Sequence, residues 1–312
     1  MLNSETFVKL ILCPICEADH TDPVNRRRQR GLTVTTVACR RCGLVYHNPV
    51  IEDRDRRDTE TTYQKWHTDS RPTSRYLKKL EARWARQWPL VSLVFAAGSR
   101  VLEVGAGLGV ASAHFKRLGA KVISIEPDPE LAAYARSNWG LNVLAARFEE
   151  VDLTGAQFDL IFASHLIEHF PDPLEFLTKV RLWAHPRSFL FLETPNILAP
   201  KVSPARLFSL PHNFYFSPQT LTFLLAKAGW EVSHLRVFRR DALQLLARPS
   251  SPRQPHIPPQ AMPMVRKALS RHRYLYYLKF LFLWRKIPWW QNRWMYTDDP
   301  RFPGLSQTDA LS

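Results

Sequence analysis

Residues 100–110, Arg-Val-Leu-Glu-Val-Gly-Ala-Gly-Leu-Gly-Val, constrain the fold of this chain more than any other stretch. Val101, Leu102 and Val104 make a short apolar run, the composition of a strand buried in a parallel sheet. Glu103 interrupts that run just before a turn in which Gly105, Gly107 and Gly109 alternate with small or apolar residues. Without Cβ atoms such a turn bends sharply and lets a ligand lie against the backbone. A helix is expected from Val110 to about Leu118, stopped by Gly119. A second apolar strand, Val122 to Ile125, ends in Glu126, seventeen residues after Gly109. An acid at that point can accept hydrogen bonds from both ribose hydroxyls of a nucleoside. Two ordinary strand-end carboxylates beside a tight turn are the alternative. The common register of strand, turn, helix and second acid favours a nucleoside site.

The glycine spacing does not fit the dinucleotide fingerprint Gly-x-Gly-x-x-Gly, and no Gly-Lys-Ser/Thr follows to hold a triphosphate. The pattern Glu-x-Gly-x-Gly-x-Gly, with an acid inside the strand, resembles the first motif of class I S-adenosylmethionine-dependent methyltransferases. The resemblance implies that Glu103, Gly105 and Gly107, with Gly109 closing the turn, approach the methionine part of S-adenosylmethionine. It implies that Glu126 holds the ribose. Arg147 and Phe148 match by position the segment that contacts adenine, with Phe148 available to stack and Arg147 where the family more often has an acid.

Phe158 to Ser164 reads as a fourth strand, and ligands of open α/β sheets bind at the carboxyl ends of strands where the topology switches. Ser164, at that edge, is included with the cofactor contacts. The following His165-Leu-Ile-Glu-His169 and Phe-Pro-Asp-Pro173 resemble a segment of small-molecule methyltransferases of the ubiquinone-biosynthesis O-methyltransferase and sugar C-methyltransferase type. Asp172 should cap a helix reaching about Trp183, with Pro173 at its first position. Phe189 to Glu193 is the fifth expected strand. Ser217 should cap a helix from Pro218 to Lys227, and two last strands are expected at 232–238 and 242–247. The fold class expected is α/β: a Rossmann-like, seven-stranded methyltransferase sheet, mostly parallel with an antiparallel last strand. A small N-terminal zinc ribbon and a helical C-terminal tail complete it.

Methyl transfer from a sulfonium needs a nucleophile placed in line, water excluded and one proton removed. Histidine suits the last task because its pKa lies near neutrality. His165 and His169 are the first candidates and His212 the second, with Glu168 to orient a histidine. Two other readings stay open. Glu168 and His169 can simply pin the helix start, or His165, Glu168 and His169 can hold a divalent metal.

All four cysteines fall within the first 42 residues, as Cys13-Pro-Ile-Cys16 and Cys39-Arg-Arg-Cys42, with 22 residues between the pairs. Two such knuckles suit a four-thiolate tetrahedral zinc site, closed to chemistry and structural in role. Leu32 to Ala38 reads as one strand of a hairpin between them by its β-branched content. The module resembles a zinc ribbon, including the Cys-Gly-Leu-Val-Tyr exit at Cys42 to Tyr46. Disulfides are disfavoured for want of a secretion signal.

Of the 312 residues, 43 Lys and Arg against 28 Asp and Glu leave a net charge of +15, and 45% hydrophobic content is ordinary for a globular chain. The basic balance favours nucleic acid or an anionic membrane surface as a partner without saying anything of fold. Arg26, Arg27, Arg28, Arg30, Arg40 and Arg41 crowd the zinc module, but no aromatic residues interleave with them for base stacking, so a solvated face is favoured over an RNA grip. The expected segments are a zinc ribbon at 1–50, a linker and helix at 51–98, the catalytic domain at 99–248 and a basic aromatic extension at 249–312. Within 51–98, Tyr76 to Trp88 reads as an amphipathic helix, and Tyr63 and Trp66 could reach over the cofactor. The stretch from Ser251 to Thr297 has nine Lys or Arg and no acid. Its apolar run Tyr274 to Trp284 is half the length needed to span a bilayer. With Trp284, Trp289, Trp290 and Trp294 it suits a membrane interface over residues 264–296, a lid or a dimer contact. No apolar run approaches about 18 residues, and a cytoplasmic location is expected. The acceptor expected is a small molecule: a sugar, a lipid-linked glycan or a quinone- or phenol-like compound. An RNA base and a non-catalytic, cofactor-binding partner protein are the alternatives.

Overall fold

The computed structural model describes residues 6–29, 32–53, 67–68, 71–208, 212–238 and 242–281. Tyr63, Trp66 and the four tryptophans of the tail lie outside these residues.

The amino-terminal module contains β1 (Thr6–Lys9), β2 (Thr21–Gln29), β3 (Leu32–Cys39), β4 (Val45–His47) and β5 (Val50–Asp53). β1 and β5 pair antiparallel, so the stretch read as a linker begins with a strand. The short strands β6 (His67–Thr68) and β7 (Arg71–Pro72) follow, then helix α1 (Ser74–Val91). α1 is longer at both ends than its apolar spacing suggested. Thr73 caps it by accepting the Tyr76 N–H, and Trp84 is buried on its inner face.

The remaining elements alternate as expected: β8 (Arg100–Val104), α2 (Val110–Arg117), β9 (Lys121–Ile125), α3 (Pro129–Trp139), β10 (Asn142–Leu144), β11 (Phe158–Ser164), α4 (Pro173–Leu182) and β12 (Ala184–Pro195). After a single turn of helix, α5 (Pro204–Leu207), come β13 (Phe214–Tyr215), α6 (Pro218–Lys227), β14 (Trp230–Phe238), β15 (Ala242–Pro249) and α7 (Ala261–Leu281). Local signals start the helices. Asp128 and Asp172 each accept two backbone N–H groups ahead of a proline, and Ser217 forms a capping box with Thr220.

The central sheet has seven strands in the order β10-β9-β8-β11-β12-β15-β14. The pairs from β10 to β12 are parallel, whereas β15 runs antiparallel to both β12 and β14. The chain leaves β8 toward β9 and β10, then returns to the other side of β8 as β11. The switch point therefore lies at the carboxyl ends of β8 and β11. Val104 is registered with Ala163, so Gly105 and Ser164 leave the sheet side by side. Ser164 is in turn registered with Glu193 of β12. α1 closes one face of the sheet through Trp84, whose ring meets Phe115 at 4.8 Å, while Phe162 stacks on Phe191 at 4.7 Å.

The zinc-type module is not a separate bead. β13, from the carboxyl half of the chain, adds to its sheet in the order β13-β4-β3-β2. α7 starts well before the aromatic run and docks there too. Its Met262 and Val265 are buried with Ala38, Val45 and Tyr215. No helix among the described residues is long and apolar enough to cross a membrane.

Candidate functional site

The glycine turn has left-handed backbone at all three positions, with φ of 75°, 56° and 73° at Gly105, Gly107 and Gly109. A Cβ on Gly105 would meet Leu166 Cδ1 at 2.9 Å, and one on Gly109 would meet Leu141 at 2.6 Å and Ala135 at 2.9 Å. Gly109 thus serves the close packing of α2 on α3. The turn is held from the second strand. Gly105 N donates to Ile125 O at 2.8 Å, and the Gly107 N–H donates to Glu126 Oε2 at 2.6 Å. The other Glu126 oxygen accepts the Asp128 N–H at 3.0 Å. Glu126 is therefore fixed at the end of β9 beside the turn, where the motif required it.

Glu103 is buried, and one of its oxygens accepts both the backbone N–H and the hydroxyl of Ser112 at the start of α2. Burial pushes its carboxyl up to about 8, against the Ser112 hydrogen bonds and aided by the charge of Glu126. A neutral Glu103 under the turn was not foreseen. Phe148 corrects a second expectation. Its ring is packed by Phe170, Phe176 and Trp183, with centroids at 5.0 to 5.6 Å, and Lys179 Nζ is 5.0 Å from its centre. It is 6% exposed and belongs to the core, so it is not a free stacking surface for a base. Arg147, half-buried just ahead of it, is 3.7 Å from Glu149.

At the end of β11, His165 adopts a left-handed backbone with φ of 52°, a conformation that costs a non-glycine residue about 1 kcal/mol or more. Its N–H donates to Glu193 O at 2.7 Å. Its ring lies between two buried carboxylates, Nδ1 at 3.5 Å from Glu168 and Nε2 at 3.4 Å from Glu193. Burial disfavours the charged ring, but hydrogen bonding to Glu168 and Glu193 outweighs it and raises the pKa above the usual value. Burial likewise opposes ionisation of Glu168, yet the His165 hydrogen bond and the charges of His169, His165 and His212 bring it down to about 2. The geometry thus sets His165 between two carboxylates that favour its protonated form, which weighs against it as first proton acceptor.

His169 and His212 approach from different elements. His169 ends the 3₁₀ turn Ile167–His169, and His212 precedes β13. Their rings meet edge to face with centroids 4.6 Å apart. Burial lowers the His212 pKa, partly offset by Glu168, so the ring is neutral at pH 7. One donor atom from each of Glu168, His169 and His212 falls within 4.8 Å of the others. The triad that converges therefore contains His212 in place of His165.

Several participants carried no signal in the sequence. Gln87 of α1 donates to Ser164 Oγ at 2.8 Å and to Glu193 Oε2 at 2.6 Å. Gln244 adds a third bond to Glu193 at 3.1 Å, and Thr194 Oγ1 donates to Glu168 Oε2 at 2.9 Å. One turn ahead of Gln87, the Nε of Arg83 is buried with no hydrogen-bond partner among the described residues. Its charge acts on both His165 and Tyr76, and Glu126 acts on Tyr76 as well. α1 therefore lays Tyr76, Arg83 and Gln87 across the mouth from the ribose acid to His165. Polar residues at i, i+7 and i+11 on one helix face were the only available hint.

In the amino-terminal module the four sulfurs converge. Cys13 and Cys42 are 3.4 Å apart, as are Cys16 and Cys39, and all four lie within 4.8 Å of one another. These separations exceed the ~2.05 Å of a disulfide and match the edges of a tetrahedron with ~2.3 Å metal–sulfur bonds. The donor set fits zinc.

A family model described as a methyltransferase domain matches residues 76–235, just over half of the chain. The chain belongs to the methyltransferase-domain family. Among curated proteins, the methyltransferase is 38% identical over 107 residues to the ubiquinone biosynthesis O-methyltransferase of Xanthomonas oryzae pv. oryzae strain PXO99A, covering 32% of this chain and 44% of that protein. It is 37% identical over 106 residues to the same enzyme of Xanthomonas euvesicatoria pv. vesicatoria strain 85-10, with the same coverage. The match thus spans less than half the length of these relatives. Among solved structures, a protein of Pyrococcus horikoshii OT3 aligns with a TM-score of 0.49 at 16% identity, covering 64% of this chain and all of that one. An S-adenosylmethionine-dependent methyltransferase of Mesorhizobium loti aligns with a TM-score of 0.44 at 17% identity, covering 52% and 97%.

Proposed function

We propose that this methyltransferase moves a methyl group from S-adenosylmethionine to an ionisable hydroxyl on a small-molecule acceptor of quinone or phenol type. The observation that carries the reading is the junction of the Gly105–Gly109 turn and Glu126 with a histidine cluster at the neighbouring strand end. The name and similarity of the curated relatives support the phenolic acceptor over a sugar or a lipid-linked glycan. Bound S-adenosylmethionine supplies an electrophilic methyl group. Glu126 receives the ribose hydroxyls, Ser164 borders the same strand end, and Arg83, whose Nε is buried without a hydrogen-bond partner among the described residues, neutralises the cofactor's carboxylate. His165, whose protonated form is favoured by Glu168 and Glu193, orients the acceptor oxygen. His212, neutral and edge-on to His169, takes the acceptor's proton at a free ring nitrogen. The four cysteine thiolates hold one structural zinc.

Calorimetry with S-adenosylmethionine tests the cofactor assignment. The wild type should bind, while Glu126→Ala and Gly105→Val should not. Valine at 105 faces both a left-handed backbone and Leu166. Unchanged affinity in both variants would overturn it.

A further inference from the structure

We infer that Asn213 is a positioning residue that ties the metal-binding module to the histidines of the site. This rests on the reading of His212 as the proton acceptor. Asn213 is 3% exposed and joins two walls. Toward the module, its Nδ2 donates to Ile51 O at 2.9 Å, and its Oδ1 accepts the Ile51 N–H at 3.0 Å. Its backbone carbonyl accepts the His47 N–H at 2.8 Å. Toward the site, its N–H donates to Glu168 O at 2.8 Å, and Nδ2 donates again to His169 O at 3.2 Å. Two carbonyls and one N–H thus converge on this side chain. Only an amide answers with two donors and one acceptor, and aspartate offers acceptors alone.

The neighbours make this connection a short one. His212 immediately precedes Asn213, and Glu168 and His169 are the residues whose carbonyls it binds. On the other side, β13 pairs with β4, and β4 begins three residues after Cys42. Cys39 N donates to Leu44 O at 2.8 Å, so the second knuckle runs directly into β4. The thiolate site fixes the knuckle, the knuckle fixes β4, and Asn213 carries that placement to His212 and His169. The glycine turn and Glu126 are instead held from β9, through the Gly105 and Gly107 N–H groups. Loss of the clamp should therefore disorder the histidine pair and spare the cofactor.

The test is histidine-ring NMR on the full chain, with signals assigned through His169→Gln and His212→Gln. In the wild type the ring contact should displace a Cε1–H signal of the pair, and removal of either ring should abolish that displacement. Asn213→Ala and Asn213→Asp should abolish that displacement too while S-adenosylmethionine affinity stays within about two-fold. Stripping the metal from the wild type with a chelator should do the same. Ser188→Ala is the stability control. Its hydroxyl donates to Phe158 O at 2.6 Å at the amino edge of the sheet, and its loss should leave the displacement intact. Retention of the displacement in both Asn213 variants overturns the inference. If neither variant folds, the chelated wild type decides. Displacement lost with affinity kept supports the clamp, and both lost or both kept refutes it. Full turnover in His212→Ala would sink the functional reading alone, because the ring geometry does not depend on it.

Discussion

Glu103→Gln probes the buried acid under the glycine turn. The unfolded carboxyl titrates near 4.5 and the folded one near 8, because burial opposes its charge. Between these values the folded chain keeps a proton that the unfolded chain has released. Stability must therefore fall as pH rises through that window. At 1.36 kcal/mol for each pH unit separating the two states, the loss from pH 4.5 to 7 is about 3 kcal/mol. Glutamine keeps a carbonyl to accept from Ser112 and has no proton to lose. Urea unfolding at pH 5 to 8, followed by tryptophan fluorescence, should show the variant gaining about 3.5 kcal/mol on the wild type across the range. A gap that does not change with pH would refute the argument. Cofactor binding offers a second readout. An ammonium or sulfonium brought near Glu103 favours its ionised form, so binding at pH 7 should release a proton in part, at most about 0.9. Calorimetry in buffers of different ionisation enthalpy reads that release, which Glu103→Gln should abolish.

The two histidines at the acceptor side should separate in kinetics. His212→Ala should lower turnover by roughly 10²–10⁴-fold, the usual worth of a positioned base. His165→Ala should mainly raise the acceptor KM, and the reverse pattern would restore His165 as the base. Elemental analysis should find about one zinc per chain, lost on Cys39→Ser together with the order of the amino-terminal module. A metal-free wild type whose amino-terminal module stays folded would refute the structural role. A second equivalent of divalent metal, lost in His212→Ala, would instead assign Glu168, His169 and His212 to a cation.

The strand–turn–helix of residues 100–118, the helix caps at Asp128, Asp172 and Ser217, and the paired Cys-x-x-Cys knuckles were legible in the sequence because each is local. Left-handed turns demand glycine, and caps need a short acceptor ahead of a proline. Thiolates with two residues between them reach one ion. Apolar runs then marked the strands along the chain, whereas their order in the sheet is seen only in the structure. What the sequence could not settle depends on partners far along the chain. Phe148 reads as a free aromatic until Phe170, Phe176 and Trp183 close around it. His165 looks like a base until Glu193, 28 residues on, takes its second nitrogen. Gln87 and Asn213 are ordinary polar residues in sequence, and only tertiary contacts give them partners 77 and 162 residues away. The reason is physical. Backbone conformation follows from a residue and its neighbours, whereas charge state and orientation follow from whatever groups the fold brings within hydrogen-bond reach, and desolvation there decides which of them stay ionised.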